Sequence, residues 1–556
     1  MLKNKKNSII VVVTVVILIG INLLSNSVYQ RFDLTEDGRY TLSETSETIV
    51  ESAESPLIID VFLEGDLPAE FRLLQTEIKQ LIEEFQTINP RIKVNYIDPL
   101  EDEATRERNI QELTRSGLEP YVNSQQVSGK VTQELIFPWG FASYGDETVK
   151  IPFLKKSLTV DLQGQIVNSI QHLEYAFADA FNKIIKPKTK KIAVLKGNGQ
   201  LDDIYVADFL TSVKENYNIA AFTLDSVSTN AVGTLKKLKE FDLIISAKPT
   251  QPFTEEEKLV LDQFTINGGK SLWLTESIIM EQDSLLNPTG SSVTIARDLN
   301  LNDFFFKYGV RINQNLVKDL YSAPITLAFG EGTNAQFQPV QWQYSPLGTA
   351  NPNHPISNNL NIIKFDFTSQ IDTLKNGISK KVLVHSSSKT QLVGPLQSVS
   401  LPGPNQDLDE ANYNGGSQNL AVLLEGEFTS VYDKRILPFQ LKDFKSTGIS
   451  SKMVVIADGD VIKNEVSRNR PLQLGFDRLT GRSYGNKEFL LNTVNYLLDD
   501  SGLINIRSKD VSVAFLDTER IEDEKTKWQF INIVIPLLLL AAFGFVFNYL
   551  RQRKYT

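Results

Sequence analysis

Residues 191–200 read KIAVLKGNGQ, and this stretch decides the fold class. Lys191–Leu195 is a short apolar run with a glycine-bearing turn behind it, the pattern of a buried strand. Towards the C-terminus, Ile204–Asn216 predicts a helix, and Ala220–Leu224 and Leu243–Ala247 (LIISA) predict strands. Thr254–Asn267 predicts another helix. Thr254 is its cap, and Glu255, Glu256 and Glu257 occupy the first turn, where the helix dipole favours carboxylates. Ser271–Thr275 (SLWLT), Lys381–His385 (KVLVH) and Lys452–Ala457 (KMVVIA) add strands, and a helix over Lys487–Leu498 closes the unit. Strand–helix alternation of this kind predicts a parallel, doubly wound sheet. Residues 323–372 are rich in Pro, Asn, Gln and Thr and read as a β-rich insertion or long loops. Residues 394–418, rich in Pro, Gly and Asn, read as a loop.

Towards the N-terminus lies a separate series. Leu57–Leu63 (LIIDVFL) and Ile92–Ile97 (IKVNYI) predict strands on either side of an amphipathic helix, Ala69–Gln86. A charged helix follows at Asp102–Arg115. Val131–Pro138 and Trp139–Tyr144 read as a strand pair, and Thr148–Pro152 as one more strand. A long helix, Leu162–Ile185, ends before Pro187. Thr41–Glu51 predicts a short helix capped by Ser43. The order βαβαβββα is close to a thioredoxin-like plan, without the CxxC chemistry.

The chain has 556 residues, room for about three or four domains. Its 41% hydrophobic and 22% charged content excludes a largely disordered chain. The net charge of −10 argues against a duplex nucleic-acid partner, which needs a basic face to displace counterions. No cysteine is present, which removes disulfides, thiolate metal sites and Cys nucleophiles. Three histidines, His172, His354 and His385, are too scattered to predict a His-rich metal site.

Two long apolar runs lie at the ends. Ser8–Leu24 (SIIVVVTVVILIGINLL) spans about 25 Å as a helix, and extension to Tyr29 brings it to the roughly 30 Å hydrocarbon core. Lys3, Lys5 and Lys6 precede it. Trp528–Tyr549 (WQFINIVIPLLLLAAFGFVFNY) is a second run, followed by Arg551, Arg553 and Lys554. The positive-inside rule then predicts both termini in the cytoplasm and an acidic body outside it. A cleaved signal peptide is the competing reading of the first run, since Ser25-Asn26-Ser27 resembles a cleavage site. A buried core helix is the competing reading of the second.

Each candidate site has a plain structural alternative. Gly197-Asn198-Gly199 follows a strand as a dinucleotide loop would, but Asp202 stands where a third glycine belongs, so a tight turn is expected. Gly269-Lys270-Ser271 mimics the end of a P-loop. Phe264, upstream, is not glycine, and Lys270 precedes a strand instead of opening a helix, so ATP binding here is rejected. Asp458-Gly459-Asp460, with Asn464 and Glu465 nearby, follows a strand where carboxylates could hold a cation or act in catalysis. An Asx-capped turn is the expected alternative. His385 precedes Ser386, Ser387 and Ser388, but no G-x-S-x-G elbow accompanies them, and His354-Pro355 sits in a loop. No catalytic, cofactor-binding or metal-ligating residue is assigned.

Several stretches carry a resemblance to a known family. They are Asp33–Ser43 (DLTEDGRYTLS), Asp298–Asn313 (DLNLNDFFFKYGVRIN), Gly481–Asp517 (GRSYGNKEFLLNTVNYLLDDSGLINIRSKDVSVAFLD) and the terminal span Asn532–Tyr555. Together they resemble the GldG family, the gliding-motility-associated auxiliary, substrate-binding-like subunits of ABC transporters in Bacteroidota. The resemblance runs over essentially the whole chain. It implies an inner-membrane complex with an ATP-binding subunit of the GldA type and a multi-span permease subunit of the GldF type. Two copies of the chain per complex would suit a two-fold transporter. The resemblance also implies that the central region is related to the class I glutamine amidotransferase-like fold. That fold's enzymes use a cysteine nucleophile, which this chain lacks, so no catalytic residue carries over.

The expected organisation follows. Residues 1–29 form a cytoplasmic tail and first membrane helix, and residues 30–188 a thioredoxin-like periplasmic domain. Residues 189–517 form an amidotransferase-like α/β domain carrying the insertion and loop, and residues 518–556 a linker, second membrane helix and cytoplasmic tail. The expected function is a non-enzymatic auxiliary subunit. A tethered periplasmic solute receptor, which needs a cleft between the two α/β units, is the first alternative, and a hydrolase using Asp458 and Asp460 is the other.

Overall fold

The apolar strand at Lys191–Lys196 (β7) is the second strand from one edge of a large mixed sheet. The computed structural model describes residues 13–15, 17–20, 41–127, 130–330, 335–403, 408–509 and 518–555. Most of the predicted first membrane run, Ser8–Leu24, and most of the Asp33–Ser43 stretch lie outside the described residues. Residues 41–509 belong to one unit and residues 518–555 to a second.

The first half of the large unit contains α1 (Glu44–Glu51), β1 (Leu57–Val61), α2 (Ala69–Ile88), β2 (Ile92–Tyr96) and α3 (Arg106–Arg115). It continues with β3 (Tyr121–Val127), β4 (Lys130–Ile136), β5 (Trp139–Tyr144), β6 (Glu147–Pro152) and α4 (Leu162–Ile185). Its sheet runs β2-β1-β5-β6, parallel between β1 and β2 and antiparallel elsewhere. The predicted pairing of Val131–Pro138 with Trp139–Tyr144 is corrected. β4 pairs instead with β3, a polar strand (YVNSQQV) with no apolar alternation to announce it, while β5 joins β1 and β6. Helices α2 and α4 meet through aromatic rings, with Phe85 5.8 Å from Phe177 and 5.2 Å from Phe181.

The second half holds the ten-stranded sheet. After β7 come α5 (Asp203–Lys214), β8 (Asn218–Thr223), α6 (Val227–Leu238), β9 (Leu243–Ala247), α7 (Glu255–Ile266) and β10 (Lys270–Leu274). A short helix, α8 (Asn302–Tyr308), precedes a long hairpin, β11 (Ser322–Phe329) and β12 (Gln336–Ala350). Then follow β13 (Ser379–His385), β14 (Asn419–Thr429), β15 (Thr447–Ile456) and α9 (Asn486–Leu498). The strand order is β11-β12-β13-β14-β15-β10-β9-β7-β8, with Ile363–Lys364 attached to β12.

This order corrects the expectation of a wholly parallel sheet. Strands β15, β10, β9, β7 and β8 are parallel, as crossover helices require. Strands β14, β13, β12 and β11 continue the sheet antiparallel, because among the described residues no α-helix intervenes between them to carry a crossover. Residues 323–372 are therefore partly built into the sheet through β12, not merely appended. The 394–418 stretch is loop apart from the strand Ser398–Ser400, paired with Ser291–Val293, and the 3₁₀ turn Glu410–Asn412, among described residues.

Local chemistry explains the helices. α7 begins with a capping box, in which Thr254 Oγ1 accepts from the Glu257 N–H and Glu257 returns a bond to the Thr254 N–H. It ends at Gly268, with φ +93°, where the Gly269 N–H donates to the Phe264 carbonyl at 3.0 Å. This Schellman stop is what the P-loop-like Gly269-Lys270 actually builds. The unpredicted α6 contains Gly233 and bends at Asn230 (φ −148°), whose side chain accepts from the Gly233 N–H.

Both faces of the sheet are covered. Trp273 on β10 is fully buried among Phe253, Phe304 and Phe305, with ring centroids 5.6–6.0 Å apart. The opposite face packs Leu272, Leu274, Val454 and Ile456 against α5 and α9. Replacing Trp273 with Ala should lower unfolding stability by about 3–5 kcal/mol, the usual range for a buried aromatic. Denaturant melts of the detergent-solubilised chain followed by circular dichroism would read this, and a change within about 0.5 kcal/mol of zero would refute the packing role.

Candidate functional site

In open α/β sheets, ligands gather beyond the C-terminal ends of the parallel strands. Here those ends carry charge. Lys248 follows β9, Glu276 lies two residues past β10, and Asp458 and Asp460 lie just beyond β15. The backbone brings them together, since the Lys248 N–H donates to the Leu274 carbonyl and the Thr275 N–H to the Ile456 carbonyl.

Lys248 is the hub. Its Nζ lies 2.7 Å from Asp460, 2.8 Å from Glu281 and 3.1 Å from Glu276. Its φ of +53° is a left-handed conformation that a lysine rarely adopts, held by these three partners. Arg297 reaches the other oxygen of Glu276 at 3.4 Å, and Lys463 reaches Asp460 at 3.4 Å. Asp458 is fully buried and accepts two backbone bonds, from Asp460 at 2.7 Å and Asp366 at 2.6 Å. The expected Asx-type turn at Asp458 is thus present.

The titration directions follow from burial and charge. Burial pushes the Glu276 carboxyl up to about 8 against the pull of Lys248. Burial also raises Asp458, helped by Asp460, Glu276 and Asp366. Burial alone would lower Lys248, but Asp460, Glu276 and Glu281 outweigh it, so its amine stays protonated. A protonated amine is no nucleophile.

Glu276, Asp458 and Asp460 have ligand oxygens within 4.8 Å of one another, a spacing that could hold a metal ion. The residues do not fit one. The Lys248 ammonium already sits against two of the three carboxylates, and a second cation about 4 Å away would be repelled by roughly 4 kcal/mol per unit charge. The chemistry of the cluster is to fasten the ends of three strands with an internal cation.

The other predicted positions are dispersed. At the Gly197-Asn198-Gly199 turn, the Asn198 carbonyl accepts from the N–H groups of Thr250 and Gln251, both at 3.0 Å. Thr250 closes over Gly199, where an added Cβ would lie 2.1 Å from Thr250 Oγ1. The turn is thus closed by the next loop, with side chains of Thr250 and Gln251 packed over Gly199. His385 Nδ1 meets Ser417 Oγ at 3.1 Å, while Asp319 is bonded to Ser387 and not to the histidine. Ser386 bonds the Ser387 carbonyl and the Gln418 N–H. His354 packs on Tyr496, and burial pushes its pKa down to about 4. Asn464 braces α5, bonding Asp208 and Ile204. Lys248, Glu276, Glu281 and Arg297 were not singled out by sequence. A charged residue directly behind a short, mostly apolar strand, as in LIISA-Lys248, was the available signal.

Comparison with known proteins places the chain. Residues 189–493 match the family described as an ABC-type uncharacterized transport system, whose family model is that of ABC transporter auxiliary proteins. The chain belongs to this family. It is accordingly an auxiliary component of an ABC transport system, a role that implies association with transporter components. Residues 36–143 match a domain of unknown function, DUF7088, which covers most of the first α/β half of this auxiliary protein. No curated protein matches the chain. Among solved structures, the mmIFT52 N-terminal domain aligns at 12% identity over 56% of this chain and 99% of that chain, with a TM-score of 0.32.

Replacing Lys248 with Met would strand Asp460 and, above about pH 8, Glu276 as well, and should cost about 3–5 kcal/mol there. The loss should shrink as pH falls through about 8, because Glu276 takes up a proton in that range and no longer needs the cation. Thermal melts of both proteins across pH would show it. Millimolar Ca²⁺ or Mg²⁺ should leave the wild-type melting temperature unchanged, and a calcium-specific rise would contradict the internal-cation reading.

Proposed function

We propose that the chain is a non-enzymatic, membrane-anchored auxiliary subunit of an ABC complex that serves gliding motility, of the GldG type. It works with a separate GldA-like ATP-binding subunit and a GldF-like multi-span permease. The family match over residues 189–493 carries this reading. The closed turn at Gly199 supports leaving nucleotide binding to another subunit. The neutralised cluster around Lys248 supports a non-enzymatic role.

Anchoring rests on the last helix, α10 (Thr518–Tyr555), in which Glu524–Arg553 is long and apolar enough to cross a membrane. At about 1.5 Å per residue it exceeds a roughly 30 Å core with room to tilt. Pro536 within it is tolerated in a membrane span. Arg551, Arg553 and Lys554 favour a cytoplasmic C-terminus in the inner membrane. The Ser8–Leu24 run supplies the second span of the proposal and leaves the α/β body in the periplasm. The sheet order β2-β1-β5-β6 supports a thioredoxin-like first domain over residues 30–188. The parallel order β10-β9-β7-β8 supports an amidotransferase-like second domain over residues 189–517.

A tag after Thr556, with purification from native membranes, should bring down an ATPase and a multi-span protein. ATP turnover in that eluate should differ from turnover of the same partners without this chain. Elution of the chain alone would overturn the proposal. Deleting residues 518–556 should leave the protein in the carbonate-resistant membrane fraction, and deleting residues 1–29 as well should release it. Release by the first deletion alone would argue for a single anchor.

A further inference from the structure

A cleft separates the first α/β half from the helices flanking the large sheet. Its floor is α4, its far wall α5 and α9, and one end is closed by the 3₁₀ turn Leu503–Ser508. It encloses a cavity of about 310 Å³, next to a second of about 250 Å³ that shares Tyr175, Asp179, Lys183, Asn216 and Asn495 with it. The larger volume is at the lower end of the range for small-molecule sites.

The charges in the larger cavity are unevenly placed: Lys155, Lys183 and Arg507 line it with Asp179, Glu215 and Glu488, while Lys156, also in the lining, pairs with Glu119 at 3.9 Å. Lys183 lies 2.9 Å from Asp179 and 3.6 Å from Glu215, which settles that end. At the other end a single oxygen, Glu488 Oε1, serves both Lys155 at 2.6 Å and Arg507 at 2.8 Å. The excess of one positive charge at that end stands in a chain whose net charge is −10.

Arg507 engages four of its five N–H donors, one of them on Glu488. The other three go to the carbonyls of Pro355 and Asn358 and to His172 Nδ1, and its guanidinium lies over the Tyr175 ring. Lys155 is different, with three N–H donors and one protein acceptor among the described residues. Because His172 Nδ1 accepts from Arg507, the ring proton sits on Nε2, which has no protein acceptor among the described residues. Burial, with Lys155 and Arg507 beside it, keeps His172 neutral and therefore in this tautomer.

We propose that this cleft binds a small organic anion through a carboxylate, which takes the spare Lys155 N–H groups and the His172 Nε2–H. A planar carboxylate with two oxygens matches two such donors, and a single negative charge matches the excess. No glycine lines the cavity to offer the backbone nest that a phosphate prefers. The proposal goes beyond the auxiliary-subunit reading, which stands or falls separately on copurification.

The test is calorimetric titration of the detergent-purified full chain with gluconate, glutamate, succinate and inorganic phosphate. At least one carboxylate should bind with Kd below about 1 mM, and more tightly than phosphate. Lys155→Met should weaken it by about tenfold or more, while Arg507 continues to hold Glu488 and the melting temperature is retained. Ser212→Trp, which fills the cavity from α5 without removing a charge, should weaken it likewise and decides the matter if Lys155→Met misfolds. Burial, then Glu488 in the opposite sense and Arg507, set Lys155 at about 8. The groups facing it are Glu488 from α9, Arg507 from the 3₁₀ turn and His172 from α4, so affinity should fall as pH rises past about 8. Absence of heat from all three carboxylates at about 10 mM would overturn the proposal. Binding that survives both substitutions, or a preference for phosphate, would do the same.

Discussion

The backbone ladder between β10 and β15 is the constraint on which the large half depends. Ser271 to Leu274 pair in parallel with Met453 to Ile456. On its other edge β15 pairs antiparallel with β14, from Ala421 to Thr429. One strand therefore joins a crossover-built parallel half to a loop-built antiparallel half. Its last four residues, Met453 to Ile456, are hydrophobic and buried on both faces, which leaves the backbone no competing partner. The same ladder sets Asp458 and Asp460 beside Glu276 and, through β9, beside Lys248.

Two buried charge groups in this fold show opposite accounting. Around Lys248, three carboxylates surround one ammonium, and Arg297 and Lys463 take up the remaining negative charge. Around Glu488, one carboxylate divides itself between two cations. The first arrangement consumes its own cation and sits at the sheet edge where α/β folds usually recruit ligands. The second keeps donors in hand and sits in a cleft between the halves. Position in the fold alone would have favoured the first as a binding site, and counting donors and acceptors reverses that order.

Legibility in the sequence tracked how far each feature depends on local chemistry. Leu243–Ala247, Leu162–Ile185 and the Thr254 cap stand where periodicity and capping place them. Tyr121–Val127 did not announce itself, because its side chains are polar and its stability comes from the partner strand. Val227–Leu238 was hidden by Gly233 and the bend at Asn230. Strand direction beyond residue 372 was illegible in a different way. KVLVH and KMVVIA read as buried strands in either orientation, and only the missing crossover helices decide between them. Asp458 and Asp460 were visible as carboxylates behind a strand, but the cation that neutralises Asp460, Lys248, comes from a loop 212 residues earlier, a separation no local pattern encodes. The cleft cations suffer the same limit, since Lys155, Glu488 and Arg507 belong to three distant segments.

The late arrival of β15 bears on how the protein is made. When β10 leaves the ribosome its outer edge has no neighbour, and Met453 follows about 180 residues later. At roughly 5–20 residues per second, that edge waits on the order of ten to thirty-five seconds. During this interval Leu272, Trp273 and Leu274 form an open, apolar template for any other nascent strand. Biogenesis of this chain thus calls for a holding factor on the growing polypeptide, or for synthesis slow enough and sparse enough to keep neighbouring copies apart.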